Sequence, residues 1–566
     1  MSDTKKLLSV DRLKKYFPIA RRSIFQRDRL YVRANEEITL DIFEGETVGV
    51  VGESGCGKST LGRVILQLYS ETAGSTLYYG RSLWELAPRY VEHTLKHAEK
   101  YIERYRAAQK KAEEAAAVCE KLGDKASFFQ LQYRNLKNAK AQSSLGNVAK
   151  ILGGWVVAPN VREGAALLLE EYKIRVSMKR TTKKIEEIGG RLKTDFSIKT
   201  EKGRGQGFVE RRKIARFEKK KRLLEDKLSG LKSRKETVLE SIKTLKSRYA
   251  DNAEFLRFEE YLDDGVDLAR LTYGEMRFLR KDLQIIFQDP YSSLDPRMTV
   301  GQIIEEGLIT HKFFKRNSAQ MRRYVLEIMQ ECGLQEHMLH RYPHQFSGGQ
   351  RQRICIARAL AVKPRFVVCD ECVSALDVSI QSQIINLLQE LKEREKLTYL
   401  FISHDLSVVR YVSDRIAVMY LGNIVELSSA EEIFEDPRHP YTVALLSAVP
   451  TTETEETNRE RILLEGSLSS PVRPPSGCKF HTRCFMACKK CKRVPPELKE
   501  VKKGHFVACH FPERKIAESG EYLFSIGRGK TENKTREKLK EEPKEELKES
   551  QREEPKKADG CGRGEK

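Results

Sequence analysis

Gly52-Glu53-Ser54-Gly55-Cys56-Gly57-Lys58-Ser59-Thr60 fits G-x-x-x-x-G-K-[ST] without a substitution. Residues 47–51 ahead of it read as a short buried strand, and residues 61–68 behind it read as a helix. Strand, glycine turn and helix in that order commit this part of the chain to an α/β layer. The glycines let successive backbone N–H groups close around a polyphosphate, and the helix N-terminus adds positive dipole. On this reading Gly52, Ser54, Gly55, Cys56, Gly57 and Thr60 form a nucleotide cradle. Lys58 reaches the β- and γ-phosphates, and Ser59 offers its hydroxyl to Mg²⁺.

Other segments supply what such a cradle needs. Phe366-Val367-Val368-Cys369-Asp370-Glu371 is an apolar strand ending in two acids. Asp370 can hold Mg²⁺ and Glu371 can orient a water against a γ-phosphate. Ser347-Gly348-Gly349-Gln350, at a helix start, forms a second phosphate cradle. Residues 7–10 and 38–42 read as short strands, with Tyr16 and Phe17 between them as aromatics able to stack on adenine, and Tyr31 less so. From residue 276 onward strands alternate with helices: a strand at 282–287 ending at Gln288, helices within 301–340, a strand at 365–369, a helix at 380–392, and a strand at 398–403 before His404. That alternation implies a mostly parallel sheet.

Taken together and in order, these segments resemble the ATP-binding-cassette ATPases: the loop at 52–59, Gln288, Ser347–Gln350, Asp370-Glu371, Ser374-Ala375-Leu376-Asp377 and His404. Finer wording resembles the oligopeptide/dipeptide importer branch: residues 286–297, 374–381 and His439-Pro440-Tyr441-Thr442. The resemblance covers residues 1–82 and 272–514. It implies an α/β fold of the P-loop type, a RecA-like mostly parallel sheet with antiparallel β and helical subdomains. It also implies that Glu371 is the general base, that His404 contacts the γ-phosphate and holds Glu371, and that Gln288 contacts Mg²⁺ and the attacking water. Asp377 would lie at a dimer seam. The two cradles would face opposite ways, so each ATP would sit between the loop of one subunit and the Ser-Gly-Gly of another. The implied partners are a paralogous ATPase subunit, two transmembrane permease subunits and, indirectly, an extracytoplasmic substrate-binding protein. The implied place is the cytoplasmic face of the membrane. Cys372 departs from the family, which has proline there, and frees a φ that proline would fix.

Two regions lie outside the motif set. Residues 84–271 are rich in Lys, Arg, Glu and Ala. Val91, Leu95, Ala98, Ile102, Tyr105, Gln109, Ala112, Ala116 and Cys119 step by fours and threes, a heptad seam. Leu224, Leu228, Leu231, Val238, Ile242, Leu245 and Tyr249 form a second seam, interrupted at Lys235. The two seams predict one antiparallel coiled-coil hairpin, with residues 120–210 as its tip and breaks at Gly153-Gly154, Gly189-Gly190 and Gly203-Arg204-Gly205. This insertion is expected to be a spacer or a dock for an unknown partner. The net charge of +22 makes a nucleic-acid or ribosome-directed ATPase the alternative function. No base-reading motif accompanies that charge, and no nucleic acid is expected. No run of 18 apolar residues and no secretory leader is seen.

The second region follows residue 446. Cys478, Cys484, Cys491 and Cys509, with Cys488 as an additional thiol, suit an iron–sulfur cluster, a structural zinc or unliganded thiols. His481, His505 and His510 read as spectators. The importer resemblance implies a [4Fe–4S] cluster on Cys478, Cys484, Cys491 and Cys509, with Zn²⁺ as the alternative. The expected divisions are 1–83 and 272–445 for the ATPase core, 84–271 for the insertion, 446–514 for the cysteine-rich extension, and 515–566 for a charged tail read as disordered.

Overall fold

The computed structural model describes residues 5–20, 29–200, 208–448, 462–464, 466–467 and 469–512. The expectations for the 515–566 tail and for a break at Gly203-Arg204-Gly205 lie outside these residues. Twelve strands are described: β1 Lys6–Pro18, β2 Tyr31–Phe43, β3 Thr47–Val51, β4 Ala73–Tyr78, β5 Val266–Asp267, β6 Leu283–Ile286, β7 Phe366–Asp370, β8 Thr398–Ile402, β9 Arg415–Tyr420, β10 Asn423–Ser429, β11 Lys499–Lys502 and β12 His505–Val507.

Eight of them form one sheet in the order β11-β12-β10-β9-β3-β8-β7-β6. From β9 to β6 every pairing is parallel. The central strands TVGVV, FVVCD and TYLFI are buried along their whole length. That continuous burial is what a strand covered on both faces requires, and it is why these strands read as unbroken apolar runs. Helix α1, Lys58–Ile65, packs closely on the sheet: a Cβ on Gly62 would lie 2.7 Å from Val368 Cγ1.

The other four strands form an antiparallel sheet, β2-β1-β4-β5. Here β1 runs through to Pro18, so residues 14–18 belong to a strand and not to the connection expected between two short ones. Tyr78 of β4 pairs with Val266 of β5, so the whole insertion is spliced into one turn of this sheet.

The insertion departs from the expected single hairpin. The first seam is divided at His97, where helix Arg89–Lys96 ends and α2, Ala98–Leu122, begins. A turn at Gly123–Lys125 and a capping box at Ser127 then start α3, Phe128–Leu152, which returns along α2. So short a connection leaves α3 as the nearest apolar face for α2. The second seam lies on α5, Phe208–Ser247, and packs on α4, Val161–Thr200, where Val238 and Ile242 meet Ile174. Gly189 and Gly190 lie inside α4 and do not break it. At 1.5 Å per residue, each helix of the α4–α5 pair is about 60 Å long. Among the described residues, no helix is long and apolar enough to cross a membrane.

The root of the insertion shares a core with the antiparallel sheet. Trp155 is fully buried, edge-on to Tyr249 and Phe255 at 5.9 and 5.5 Å. Arg270 bridges from the end of β5 to Asn147 O (2.7 Å) and Thr94 Oγ1 (2.8 Å). Beside it, Asp267 is buried, and burial pushes its carboxyl up to about 6 despite the Arg270 charge. A folded-state pKa above the unfolded value of 3.8 means that this group favours folding fully below pH 3.8. That contribution is lost as pH rises through 6. Asp267→Asn retains an acceptor for the Ala269 N–H (3.2 Å) without a charge to bury. The variant is expected to gain on the order of 2 kcal/mol over the parent at pH 7.5 and nothing below pH 4, read from urea midpoints across that range.

Candidate nucleotide site

Four strand ends converge on one edge of the parallel sheet, where open α/β folds place their ligands. The glycine loop follows β3, Gln288 follows β6, Asp370 ends β7, and His404 follows β8. Gly52, Gly55 and Gly57 all have φ between 80° and 148°. A Cβ at Gly57 would fall 2.0 Å from Ala34 O, and one at Gly52 2.2 Å from Met419 O. Only glycine fits either position. The helix starts at Lys58, three residues earlier than the apolar pattern indicated, so Lys58, Ser59 and Thr60 form its first turn. Lys58 Nζ donates to the carbonyls of Gly52 (2.8 Å) and Glu53 (3.2 Å).

Glu371 lies in the left-handed region, at φ 48°. Its N–H donates to Ile402 O at 3.0 Å, which ties the residue to the end of β8. Its carboxylate is flanked from both neighbouring strands. Gln288 Nε2 donates to Oε2 at 2.7 Å, and His404 Nδ1 lies 3.7 Å from Oε1. Glu371 is half-buried, while Gln288 and His404 are exposed at the edge. Asp370 is fully buried. Its Oδ2 accepts from Arg63 of α1 at 3.3 Å, and its Oδ1 has no partner within the protein. An orphaned buried oxygen, on a carboxylate that reaches Arg63 of the helix carrying Ser59, fits a divalent cation held there.

Ser347 caps helix α6, Gly348–Leu360, through a reciprocal box with Gln350. Ser347 and Gly348 are exposed, Gly349 is buried against Ile380, and Asp377 is exposed at the start of helix α7, Val378–Glu395. Cys372 is buried.

The adenine-stacking assignment of Tyr16 needs correction. The ring is buried, its hydroxyl donates to Glu36 Oε1 at 2.6 Å, and the Arg33 guanidinium lies 5.8 Å from its centroid. It is committed to the core of the antiparallel sheet. Phe17 is half-buried, edge-on to Tyr69 at 5.5 Å.

The extension is not a free-standing module. Its strand β12 pairs with β10 and so prolongs the nucleotide-site sheet. His505 Nε2 lies 2.8 Å from Glu426 Oε1, both buried, which pins the two strands side by side. Cys478, Cys484, Cys491 and Cys509 line one small cavity together with His439, Met486 and Phe511. Cys488 is not among the lining residues; its sulfur is 3.7 Å from that of Cys491. Burial raises Cys478 to about 11 and Cys484 to about 12, and the neighbouring thiols push both the same way. His481 and His510 are engaged with the carbonyls of Cys478 and Val494. Among the described residues, no group of three or more His, Cys, Asp or Glu side chains is already placed to hold a metal ion.

The sequence alone did not reveal Arg63, Arg483 or Tyr441. Arg483 Nη1 donates to Glu53 Oε2 at 2.8 Å, and the Glu53 N–H donates to Tyr441 Oη at 2.9 Å. The available signals were the position of Arg483, next to Cys484, and that of Tyr441 within the His439–Thr442 motif.

Comparison with known proteins gives two family matches. Residues 35–152 and 235–374 match "ABC transporter", and residues 425–491 match "Oligopeptide/dipeptide transporter, C-terminal region". The oligopeptide transport ATP-binding protein AppF of Bacillus subtilis is 52% identical over 253 residues, covering 44% of this chain and 76% of AppF. The oligopeptide transport ATP-binding protein OppF of Haemophilus influenzae is 48% identical over 248 residues, covering 43% of this chain and 74% of OppF. The first family match skips residues 153–234, within the insertion.

Proposed function

The chain belongs to the ATP-binding-cassette ATPases of oligopeptide and dipeptide importers, and we propose that it works as one half of a nucleotide-driven dimer under two membrane subunits. It is an ATPase. The observation that carries the mechanism is Glu371, held at the end of β7 between Gln288 and His404. The loop binds ATP through its N–H groups and Lys58. Glu371 takes a proton from the attacking water. His404 orients Glu371 and meets the γ-phosphate, and Gln288 senses the arriving phosphate and reports it to the membrane subunits. Mg²⁺, held by Ser59, Gln288 and Asp370, would offset the charge gathering on the phosphates. Ser347, Gly348, Gly349 and Gln350 serve the ATP of the facing subunit, with Asp377 at the seam. That facing subunit is a paralogue, and the dimer sits on the cytoplasmic face of the membrane. Co-purification with two multi-span membrane proteins, and peptide uptake into vesicles that needs this chain and ATP, would support the reading. Salt-sensitive DNA or RNA binding without membrane partners would replace it with the nucleic-acid alternative.

The four cavity thiols suit a [4Fe–4S] cluster on Cys478, Cys484, Cys491 and Cys509. Shedding thiol protons on binding would reverse the raised pKa of each. Anaerobically purified protein is expected to be brown, with a broad visible band that chelators and air bleach. A colourless protein with stoichiometric zinc would overturn that choice.

A further inference from the structure

The thiol cavity and the phosphate loop are joined through contacts made by five residues. Those five, 479–483, lie between Cys478 and Cys484, and they reach the loop at two places. Arg483 holds the Glu53 carboxylate at 2.8 Å, with side chains 9% and 27% exposed. Phe480, fully buried, packs on Tyr441 at 5.4 Å, and Tyr441 in turn accepts the Glu53 N–H. Lys479 Nζ donates to Leu421 O at 2.8 Å and to Glu36 Oε2 at 3.3 Å. The next residue, Gly422, donates its N–H to Cys56 O at 2.9 Å, inside the loop. Glu53 and Cys56 bracket the Ser54-Gly55 turn, so the loop is gripped on both sides from the cysteine-rich segment.

We propose that Arg483 is a positioning residue for ATP, and that the segment between Cys478 and Cys484 holds the phosphate loop in its nucleotide-accepting shape. What happens at the thiol cavity is then linked to ATP affinity, and ATP to the cavity, because such coupling is reciprocal. A loop built from three positive-φ glycines has little stiffness of its own, and a charge-assisted bond to its second residue restricts it at small cost. This inference rests on residues 52–60 being the ATP site.

The test is equilibrium ATP binding to the full chain. Arg483→Gln is expected to weaken ATP five- to fiftyfold, Arg483→Lys less, and Glu53→Gln about as much as Arg483→Gln. The double variant should be no weaker than either single one, the mark of two residues acting as one unit. Joint replacement of Cys478 and Cys484 by Ser should weaken ATP in the parent by a similar factor, and by under twofold in the Arg483→Gln background. An unchanged affinity in Arg483→Gln, or losses that multiply in the double variant, would overturn the brace. A cysteine pair whose loss leaves ATP binding untouched would overturn the link to the cavity. Failure of the parent itself to bind ATP would instead refute the nucleotide site.

Discussion

Glu371→Gln is expected to cut steady-state hydrolysis about a thousandfold while ATP affinity stays within about threefold of the parent. The substitution is nearly isosteric. A glutamine at this position can still accept from Gln288, and its backbone can keep the N–H to Ile402 O at 3.0 Å that holds the end of β7 against β8. What it loses is the ability to take a proton from water. The ATP-binding groups lie elsewhere, on the loop after β3 and on Lys58, so binding is spared. With hydrolysis blocked, this chain and its paralogous partner, mixed in MgATP, should stay closed around intact ATP and co-elute from a sizing column at about their summed mass. Single-turnover hydrolysis measures the chemical step directly. A parent-like rate in this variant would move the general base to another residue.

The parts of the fold legible in the sequence were those with two independent local signals. The β3 strand, glycine loop and α1 could be read because five wholly buried residues precede a pattern that only glycine can satisfy at Gly52 and Gly57. Asp370 and Glu371 stood out for the same reason, an apolar run stopping abruptly at two acids. Where a reading depended on what lies far along the chain, it went astray. Tyr16 looks available in sequence and is taken by Glu36 across the sheet. The two seams of the insertion are equally good as coiled-coil faces, and nothing local says which partner each takes. The close returns α2–α3 and α4–α5 settle it, because a neighbour a few residues away closes at less entropic cost than one a hundred residues away. The strands β11 and β12, KEVK and HFV, are too short and too polar to announce that they extend the central sheet.

The second large effect tests whether each ATP pocket is shared between two chains. Gly348 and Gly349 both belong to the second cradle, but they differ in what a side chain would meet. A Cβ at Gly349 falls 2.5 Å from Ile380 Cγ2, so any substitution there also pushes α6 off α7. A Cβ at Gly348 meets only Leu376 Cδ2 at 3.5 Å, ordinary contact, and the position is exposed at the helix N-terminus. Gly348→Asp should therefore fold, and the added carboxylate even suits the helix dipole of its own subunit. It would, however, place a negative charge where the facing subunit's γ-phosphate must dock. Hydrolysis is expected to fall by about 10²- to 10³-fold, with no closed dimer in MgATP, as for loss of a preorganised site for developing charge. ATP affinity of the isolated subunit should change by less than about twofold, since Lys58 and its loop are untouched and close range matters for such repulsion. Measuring binding and turnover on the same preparation separates the outcomes. If affinity collapses together with turnover, the second cradle serves the ATP of its own chain. If turnover survives, Ser347–Gln350 meets no phosphate at all.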